Sequence, residues 1–254
     1  MEYRLRLFSK SGIYYNIDVI SQLKTQIPGS GTLALVGSGE YLPPMEPVDR
    51  FLMSCLSAPA DVICLPTAAG TEGPERITYW SNLGTGHFTR LGAGRVEALP
   101  VIDRRSAQNQ IFAERIRSAN FVYLSGGKPD YLLGTLDGTP VWQAIVNVLE
   151  RGGVVAGCSA GAMIFGARTA TGFFTGTQKA FGFVANAFVL PHFDEMPGWI
   201  ARLVPALAKD LTLVGVEGNT ALVCSASGLR VEGSGGVTIG RGSQRTRYTS
   251  KDNS

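Results

Sequence analysis

Short runs of apolar residues alternate with longer amphipathic stretches from Thr32 onward. The apolar runs are rich in Val, Leu and Ile and do not alternate with polar residues, which is typical of strands buried on both faces of a sheet. They cover residues 32–36, 61–65, 96–101, 121–124, 154–156 and 211–216. Helical periodicity is found between and after them, at residues 47–57, 106–119, 140–151 and 198–208. The pattern therefore predicts an α/β fold, in which helices flank both faces of a mostly parallel sheet.

The two ends of the chain depart from this pattern. Residues 221–224 and 229–239 are apolar runs with glycine turns, and they predict short C-terminal antiparallel strands. Residues 1–30 are expected to form an N-terminal extension that ends in a turn with the sequence Ile-Pro-Gly-Ser. We expect one domain over residues 31–240 and a polar, solvated C-terminal tail over residues 241–254.

Composition argues against several classes of protein. The chain has 254 residues and a formal net charge of only +3, with no clustered stripe of Lys and Arg, so a nucleic-acid partner is not expected. No apolar stretch reaches the roughly 20 residues of a membrane span, and the N-terminus lacks the apolar core of a signal peptide. We therefore expect a cytoplasmic protein without a membrane partner. The apolar face of residues 140–151 fits either a monomer or a homodimer.

Metals and cofactors are not expected. The four cysteines and the two histidines lack the spacing of metal ligands, so we predict no metal site and reduced thiols. Residues 37–42 (Gly-Ser-Gly-Glu-Tyr-Leu) begin like a dinucleotide-binding fingerprint. However, Leu42 stands in place of the third glycine, and the two prolines that follow disfavour a helix start, so NAD is not predicted.

The clearest chemical signal is a Gly-x-Ser-x-Gly pattern at residues 157–161, centred on Ser159. It lies between a predicted buried strand and a run of small residues compatible with a helix, which is the setting of a nucleophile elbow. The backbone amide of Ala160 would then face an oxyanion. Two alternatives stay open from the pattern alone. Ser159 could be a structural residue of a tight turn, or Cys158 could be the nucleophile, although an inert buried thiol is the better interpretation of that cysteine.

A serine nucleophile requires a base and an acid. His192 follows the elbow at a predicted strand end and is preferred to His87, which precedes the elbow. No acid lies between residues 160 and 191, so the order along the chain must be Ser, His, acid. The acids that follow the histidine are Asp194, Glu195, Asp210, Glu217, Glu232 and Asp252. We favour Glu217 because it ends a buried apolar run, and we interpret the two acids nearest to His192 as solvated or substrate-facing.

A second glycine signature, Ser-Gly-Gly-Lys-Pro, follows the predicted strand at residues 121–124. Bare amides at the carboxyl edge of a parallel sheet lie where α/β proteins bind ligands, so this loop could supply a second oxyanion donor. An ordinary strand-to-helix turn is the alternative. Gly126 and Lys128 are candidates for substrate binding, and Lys128 is the fixed cation nearest to the loop in the sequence.

Together these motifs resemble peptidase family S51, which includes aspartyl dipeptidase and cyanophycinase. The resemblance is carried by residues 125–127, 158–162, 191–193 and 217–219, in the order of the family, and it covers residues 31–239. It implies a class I glutamine amidotransferase-like (flavodoxin-like) fold. It also implies a serine exopeptidase that cleaves small aspartyl or isoaspartyl (β-aspartyl) peptides through an acyl-enzyme, without a metal or a cofactor.

The resemblance also assigns roles to individual residues. It implies that Ser159 is the nucleophile, that His192 is the base and that Glu217 completes the triad. The amides of Gly127 and Ala160 would form the oxyanion hole.

The chain departs from the family at two positions. Lys128 stands where members usually have Asn or Gln, and Gly218 replaces the second of two adjacent acids found in cyanophycinase-type members. These departures motivate an alternative function, an amidotransferase-like domain that acts as a binding module or as a different amidase. An esterase or lipase is a weaker alternative, because the order Ser, acid, His cannot be built with His192.

Overall fold

The computed structural model describes residues 23–172, 175–196, 210–242 and 244–253. The strands in these ranges are β1 (Thr32–Val36), β2 (Asp61–Leu65), β3 (Arg95–Ala98), β4 (Phe121–Leu124), β5 (Val154–Cys158), β6 (Gly166–Thr171), β7 (Gly176–Lys179), β8 (Val184–Leu190), β9 (Thr212–Val216), β10 (Thr220–Ser225), β11 (Gly228–Gly233), β12 (Gly236–Arg241) and β13 (Gln244–Thr249). The helices are α1 (Glu46–Ser54), α2 (Pro74–Arg90), α3 (Arg104–Ala107), α4 (Gln110–Ser118), α5 (Pro129–Leu136), α6 (Pro140–Glu150) and α7 (Ala160–Met163). The strands form two sheets.

The first sheet is the predicted, mostly parallel one. Its strand order is β11-β10-β1-β5-β4-β2-β3. The five strands from β1 to β3 in this order are parallel, and β10 and β11 add an antiparallel edge. Strand β5, which leads into Ser159, lies between β1 and β4. The loops that follow β1 and β4 therefore flank the loop that follows β5.

Helices cover both faces of this sheet, as the sequence predicts. Successive side chains of a strand point to opposite faces. Leu33 and Leu35 accordingly pack with residues of α4, α5 and α6, whereas Ala34 and Val36 pack with residues of α1 and α2. All four side chains are fully buried. Burial on both faces explains why the central strands appear in the sequence as continuous apolar runs.

The second sheet was not predicted as a separate layer. Its strand order is β13-β12-β9-β8-β6-β7, and it packs on the face of the first sheet that carries α4 to α6. The predicted strand at residues 211–216 is β9 of this sheet, where it is parallel to β8 and antiparallel to β12. Strand β8 leads into the loop that contains His192, and β9 leads into Glu217.

The predicted helices compare unevenly with the structure. The helix predicted at residues 140–151 is confirmed as α6, and the Thr139 side chain caps it by accepting a hydrogen bond from the Trp142 amide. The helix predicted at 106–119 is split into α3 and α4, because Asp103 and Asn109 each cap a new helix start. Helices α2 and α5 were not predicted. The helix predicted at 198–208 lies outside the described residues.

The ends of the chain contribute to the second sheet. Thr25 forms a bridge with Val184 of β8, and Leu23 is buried. At the other end, β13 pairs with β12 over residues that the sequence analysis treated as a solvated tail.

In the described parts of the chain, no helix has both the length and the apolar character needed to cross a membrane.

Candidate active site

Ser159 lies in a sharp turn between β5 and α7. Its φ is +52° and its ψ is −115°, a backbone conformation that residues other than glycine rarely adopt. Such strain is concentrated at functional sites. The turn also requires glycines, because a Cβ on Gly157 would lie 2.2 Å from the Gly161 carbonyl oxygen, and one on Gly161 would lie 2.5 Å from the Leu124 carbonyl oxygen. The predicted nucleophile elbow is therefore present in its local geometry.

Replacing Gly157 with alanine is expected to lower the free energy of unfolding by about 1–3 kcal/mol, because the new methyl group overpacks the turn. Chemical denaturation measures this change. The matched control is Gly134→Ala, since a Cβ on Gly134 in α5 meets no atom within 4 Å. That control should instead raise the free energy of unfolding by about 0.5–1 kcal/mol through helix propensity. Equal effects of the two variants would contradict the packing argument.

His192 reaches Ser159 from the second sheet. It lies in the loop after β8, and its Nε2 atom is 3.0 Å from the Ser159 Oγ atom. Its own φ is +54°, so this loop also holds a strained residue at the site. The structure brings together the serine and the histidine that the sequence analysis selected, at the distance of a hydrogen bond.

The carboxylate next to His192 is that of Glu195. Glu195 Oε2 lies 2.8 Å from His192 Nδ1, and the Ser38 hydroxyl donates to Glu195 Oε1 at 2.8 Å. Both residues of the pair lie in one turn, in which the Glu195 amide donates to the His192 carbonyl oxygen. The hydrogen bonds from His192 and Ser38 lower the pKa of the Glu195 carboxyl group below its ordinary value. Glu195, which the sequence analysis interpreted as solvated or substrate-facing, is 54% exposed, and its carboxylate also contacts His192.

The Glu217 carboxylate binds Arg247 and the Gly236 amide, and the predicted contact with His192 is absent. This carboxylate accepts two hydrogen bonds from Arg247 of β13, at 2.5 and 2.6 Å, and a third from the Gly236 amide at 2.8 Å. The Arg247 hydrogen bonds are the main reason that the pKa of Glu217 is lowered. Glu217 therefore joins β9 to β12 and β13.

Gly218 makes room for the Glu195 carboxylate. A Cβ at this position would lie 2.8 Å from Glu195 Oε1 and 3.0 Å from Ser38 Oγ. The Gly218 amide also donates a hydrogen bond to the Asp194 carboxylate at 2.8 Å. At Gly218, where the chain departs from the family, the absence of a side chain therefore leaves the space next to the Glu195 carboxylate open.

The loop after β4 lies against the elbow, as expected for an oxyanion hole. A Cβ on Gly126 would be 3.1 Å from the Ser159 Cβ atom. Gly127 has a φ of +145°, and a Cβ there would lie 2.4 Å from the Ala68 carbonyl oxygen. Within the described ranges, neither the Gly127 amide nor the Ala160 amide donates a hydrogen bond. Both remain available to an oxyanion, and their role as an oxyanion hole stays a prediction.

Glu40 is a site residue that the sequence analysis did not select. Its Oε1 atom accepts a hydrogen bond from the Gly126 amide at 3.0 Å, and the Cys158 thiol donates to Oε2 at 3.0 Å. The side chain is only 8% exposed. The sequence feature that could have identified Glu40 is an acid in the Gly-Ser-Gly-Glu segment that follows the buried strand β1. The sequence analysis considered this segment only as a nucleotide-binding motif.

A cleft of about 270 Å³ opens above the Ser159 hydroxyl. It is lined by Glu40, Glu72, Arg76, Trp80, Gly126, Gly127, Ser159 and His192. Lys128 is exposed and does not line this cleft, so the structure does not support it as a substrate contact. Over the described residues, no group of three His, Cys, Asp or Glu side chains is arranged to hold a metal ion.

The two alternative reactive groups are buried away from the cleft. Burial, followed by the charge of Glu40, raises the pKa of the Cys158 thiol well above its ordinary value, which makes it a poor nucleophile. His87 is fully buried in α2, and its Nε2 atom lies 2.8 Å from Asp49 Oδ2. It does not contact Ser159.

Comparisons with known proteins find relatives of this chain among the cyanophycinases. The cyanophycinase of Trichormus variabilis is 30% identical over 166 residues, which are 60% of this chain and 55% of that protein, so the chain matches little more than half of the relative's length. The cyanophycinase of Geminocystis herdmanii is 25% identical over 233 residues, covering 87% of this chain and 83% of that protein.

Two solved structures are similar to this one. A peptidase from an acI-B1 Actinobacterium has a TM-score of 0.80 at 35% identity, and the match covers 88% of this chain and 96% of that chain. A putative peptidase E protein from Listeria monocytogenes EGD-e shares the fold, with a TM-score of 0.61 at 20% identity and coverage of 81% and 100%. The model of peptidase family S51 matches residues 33–231, which include the elbow, the histidine loop and the oxyanion loop. The chain belongs to peptidase family S51.

Proposed function

We propose that this protein is a serine peptidase that cleaves small aspartyl or isoaspartyl peptides through an acyl-enzyme. The observation that carries the proposal is the continuous series of contacts from Ser159 Oγ to His192 Nε2 and from His192 Nδ1 to Glu195. A nucleophile, a base and a carboxylate that orients the base are the parts of a catalytic triad. Membership of the family supports the reaction class, and the cyanophycinase relatives support an aspartyl peptide as substrate.

The steps follow from these contacts. The Ser159 hydroxyl attacks the carbonyl carbon of the scissile bond, and His192 Nε2 takes the proton. Glu195 accepts the hydrogen bond from His192 Nδ1 and stabilises the imidazolium that forms. The amides of Gly127 and Ala160 bind the oxyanion. His192 then protonates the leaving amine, and a water molecule, activated by the same imidazole, releases the acyl group from the serine.

The experiment that tests this proposal combines a substrate panel with a covalent probe. α-Aspartyl, β-aspartyl and neutral dipeptides are incubated with the protein, and a serine-directed organophosphonate is used to label it. We expect kcat/KM to be much higher for aspartyl linkages than for neutral ones, and a single phosphonylated peptide containing Ser159. A protein that is neither labelled nor active on any dipeptide would contradict the proposal and favour a binding module of the same fold.

A further inference from the structure

Arg76 is the cation of the cleft, and its location is unusual for an arginine. It is the third residue of α2, in the first turn of the helix. The N-terminal end of a helix carries a partial positive charge, so a cation is disfavoured there. Its side chain nevertheless lines the cleft above Ser159 and His192.

Three neighbours hold the Arg76 guanidinium in this position. Its carbon atom lies 4.9 Å from the centre of the Tyr79 ring and 4.8 Å from that of Trp80, within the range of cation–π contacts. The Glu72 carboxylate lies 3.4 Å from Arg76 Nε. In the described part of the chain, no acceptor is hydrogen-bonded to Arg76. Its terminal N–H groups are therefore free to bind a ligand, and a guanidinium matches the two oxygens of a carboxylate.

The other charges of the cleft restrict where a substrate carboxylate can lie. Glu40 and Glu72 both line the cleft, and Glu40 lies next to Gly126, beside the nucleophile. A substrate carboxylate would be repelled by these two groups unless it contacted a cation directly. Among the described lining residues, Arg76 is the fixed cation that can make this contact.

We infer that Arg76 is the residue that selects an acidic substrate, by binding the carboxylate of the aspartyl residue whose carbonyl carbon Ser159 attacks. This inference rests on the proposed function. It replaces Lys128, the cation that the sequence suggested, with one that lies in the cleft. Because the contact is to the charge of the substrate, Arg76 is expected to affect the choice of substrate rather than the rate of the chemical step.

The test compares matched aspartyl and asparaginyl dipeptides, which have nearly the same shape and differ in charge. Arg76→Gln should lower the ratio of kcat/KM for the aspartyl over the asparaginyl dipeptide by about 10- to 100-fold, the range of a charged hydrogen bond. The residual turnover of the asparaginyl dipeptide, which forms no ion pair with the guanidinium, is the comparator and should fall much less than that of the aspartyl dipeptide. The control is Arg90→Gln, in the last turn of the same helix and away from the cleft, which should leave the ratio unchanged. Equal losses for both dipeptides, or an unchanged ratio in Arg76→Gln, would overturn the inference and leave the peptidase assignment intact.

A binding measurement separates this inference from the proposed function. Calorimetry with L-aspartate and L-asparagine is carried out on Ser159→Ala, with and without Arg76→Gln. Preferential binding of aspartate that is lost with Arg76→Gln supports the inference, even if no dipeptide is cleaved. Equal binding of the two amino acids, no binding of either, or a preference that survives Arg76→Gln would overturn it, whatever the activity of the enzyme.

Discussion

Alanine in place of Ser159 or of His192 is expected to lower kcat/KM by about 10⁴- to 10⁶-fold. The Ser159 Oγ atom forms the new bond, and the His192 Nε2 atom, 3.0 Å away, is the group that can accept its proton. Removing either one removes the activated nucleophile as a whole. The kcat/KM of the Ser159→Ala, His192→Ala double variant should therefore lie within a few fold of that of the less active single variant. The readout is kcat/KM on an aspartyl dipeptide.

Ser54→Ala is the matched control for this prediction, because Ser54 is exposed at the end of α1 and lies outside the cleft. It should retain the activity of the wild type. Thermal unfolding of each variant distinguishes loss of the nucleophile from loss of the fold. Wild-type turnover in a folded Ser159→Ala protein would exclude the serine mechanism. Losses that add fully in the double variant would show that the two side chains do not act as one unit.

The first sheet could be predicted because its strands are buried on both faces. Residues 33–36, 62–65 and 121–124 are apolar without interruption, and the predicted bounds, 32–36, 61–65 and 121–124, are those of β1, β2 and β4. Strand β7 has the sequence Gly-Thr-Gln-Lys and is not buried at any position, so nothing in its hydrophobic pattern marks it as a strand. Helix α2 contains two glycines and a polar N-terminal turn, which conceal its periodicity. The second sheet is specified by tertiary pairing rather than by local pattern.

The site residues also divide into those that local sequence pattern marks and those that depend on tertiary contacts. Ser159 is marked by the small residues that its turn requires, and His192 by its position at a strand end after the elbow. The acid depends on which carboxylate the turn after β8 directs toward the imidazole, and residue spacing does not determine this. Glu217 satisfies the sequence criterion of ending a buried strand, but Arg247, from a segment assigned to a solvated tail, binds it instead.

Glu195→Gln is expected to lower kcat by about 100- to 10,000-fold with little change in KM. Glutamine keeps the shape of the side chain but loses the charge that stabilises the imidazolium and selects its tautomer. The smallest loss in this range is below the loss expected for a fully buried triad acid, because the Glu195 side chain is 54% exposed and water can replace part of its effect. Since its pKa is lowered, the wild-type carboxylate stays ionised at and above the usual glutamate range, and its contribution is lost only as the pH falls through the lowered value. In a pH profile of kcat/KM, the contribution of Glu195 should therefore persist through the ordinary glutamate range.

Glu217→Gln is the matched control, because it makes the same chemical change at the acid that the sequence favoured. It weakens the ion pair with Arg247, which is half exposed, so we expect a loss of about 1 kcal/mol or less in the free energy of unfolding and no change in kcat. Gly218→Ala provides an independent test, because its methyl group would occupy space next to Glu195 Oε1 and displace the carboxylate while leaving its charge in the chain. We expect kcat to fall in Gly218→Ala as it does in Glu195→Gln. If Glu217→Gln were the inactive variant and Glu195→Gln the active one, the carboxylate at the histidine would be a surface contact, and the triad acid would have to come from the strand end after all.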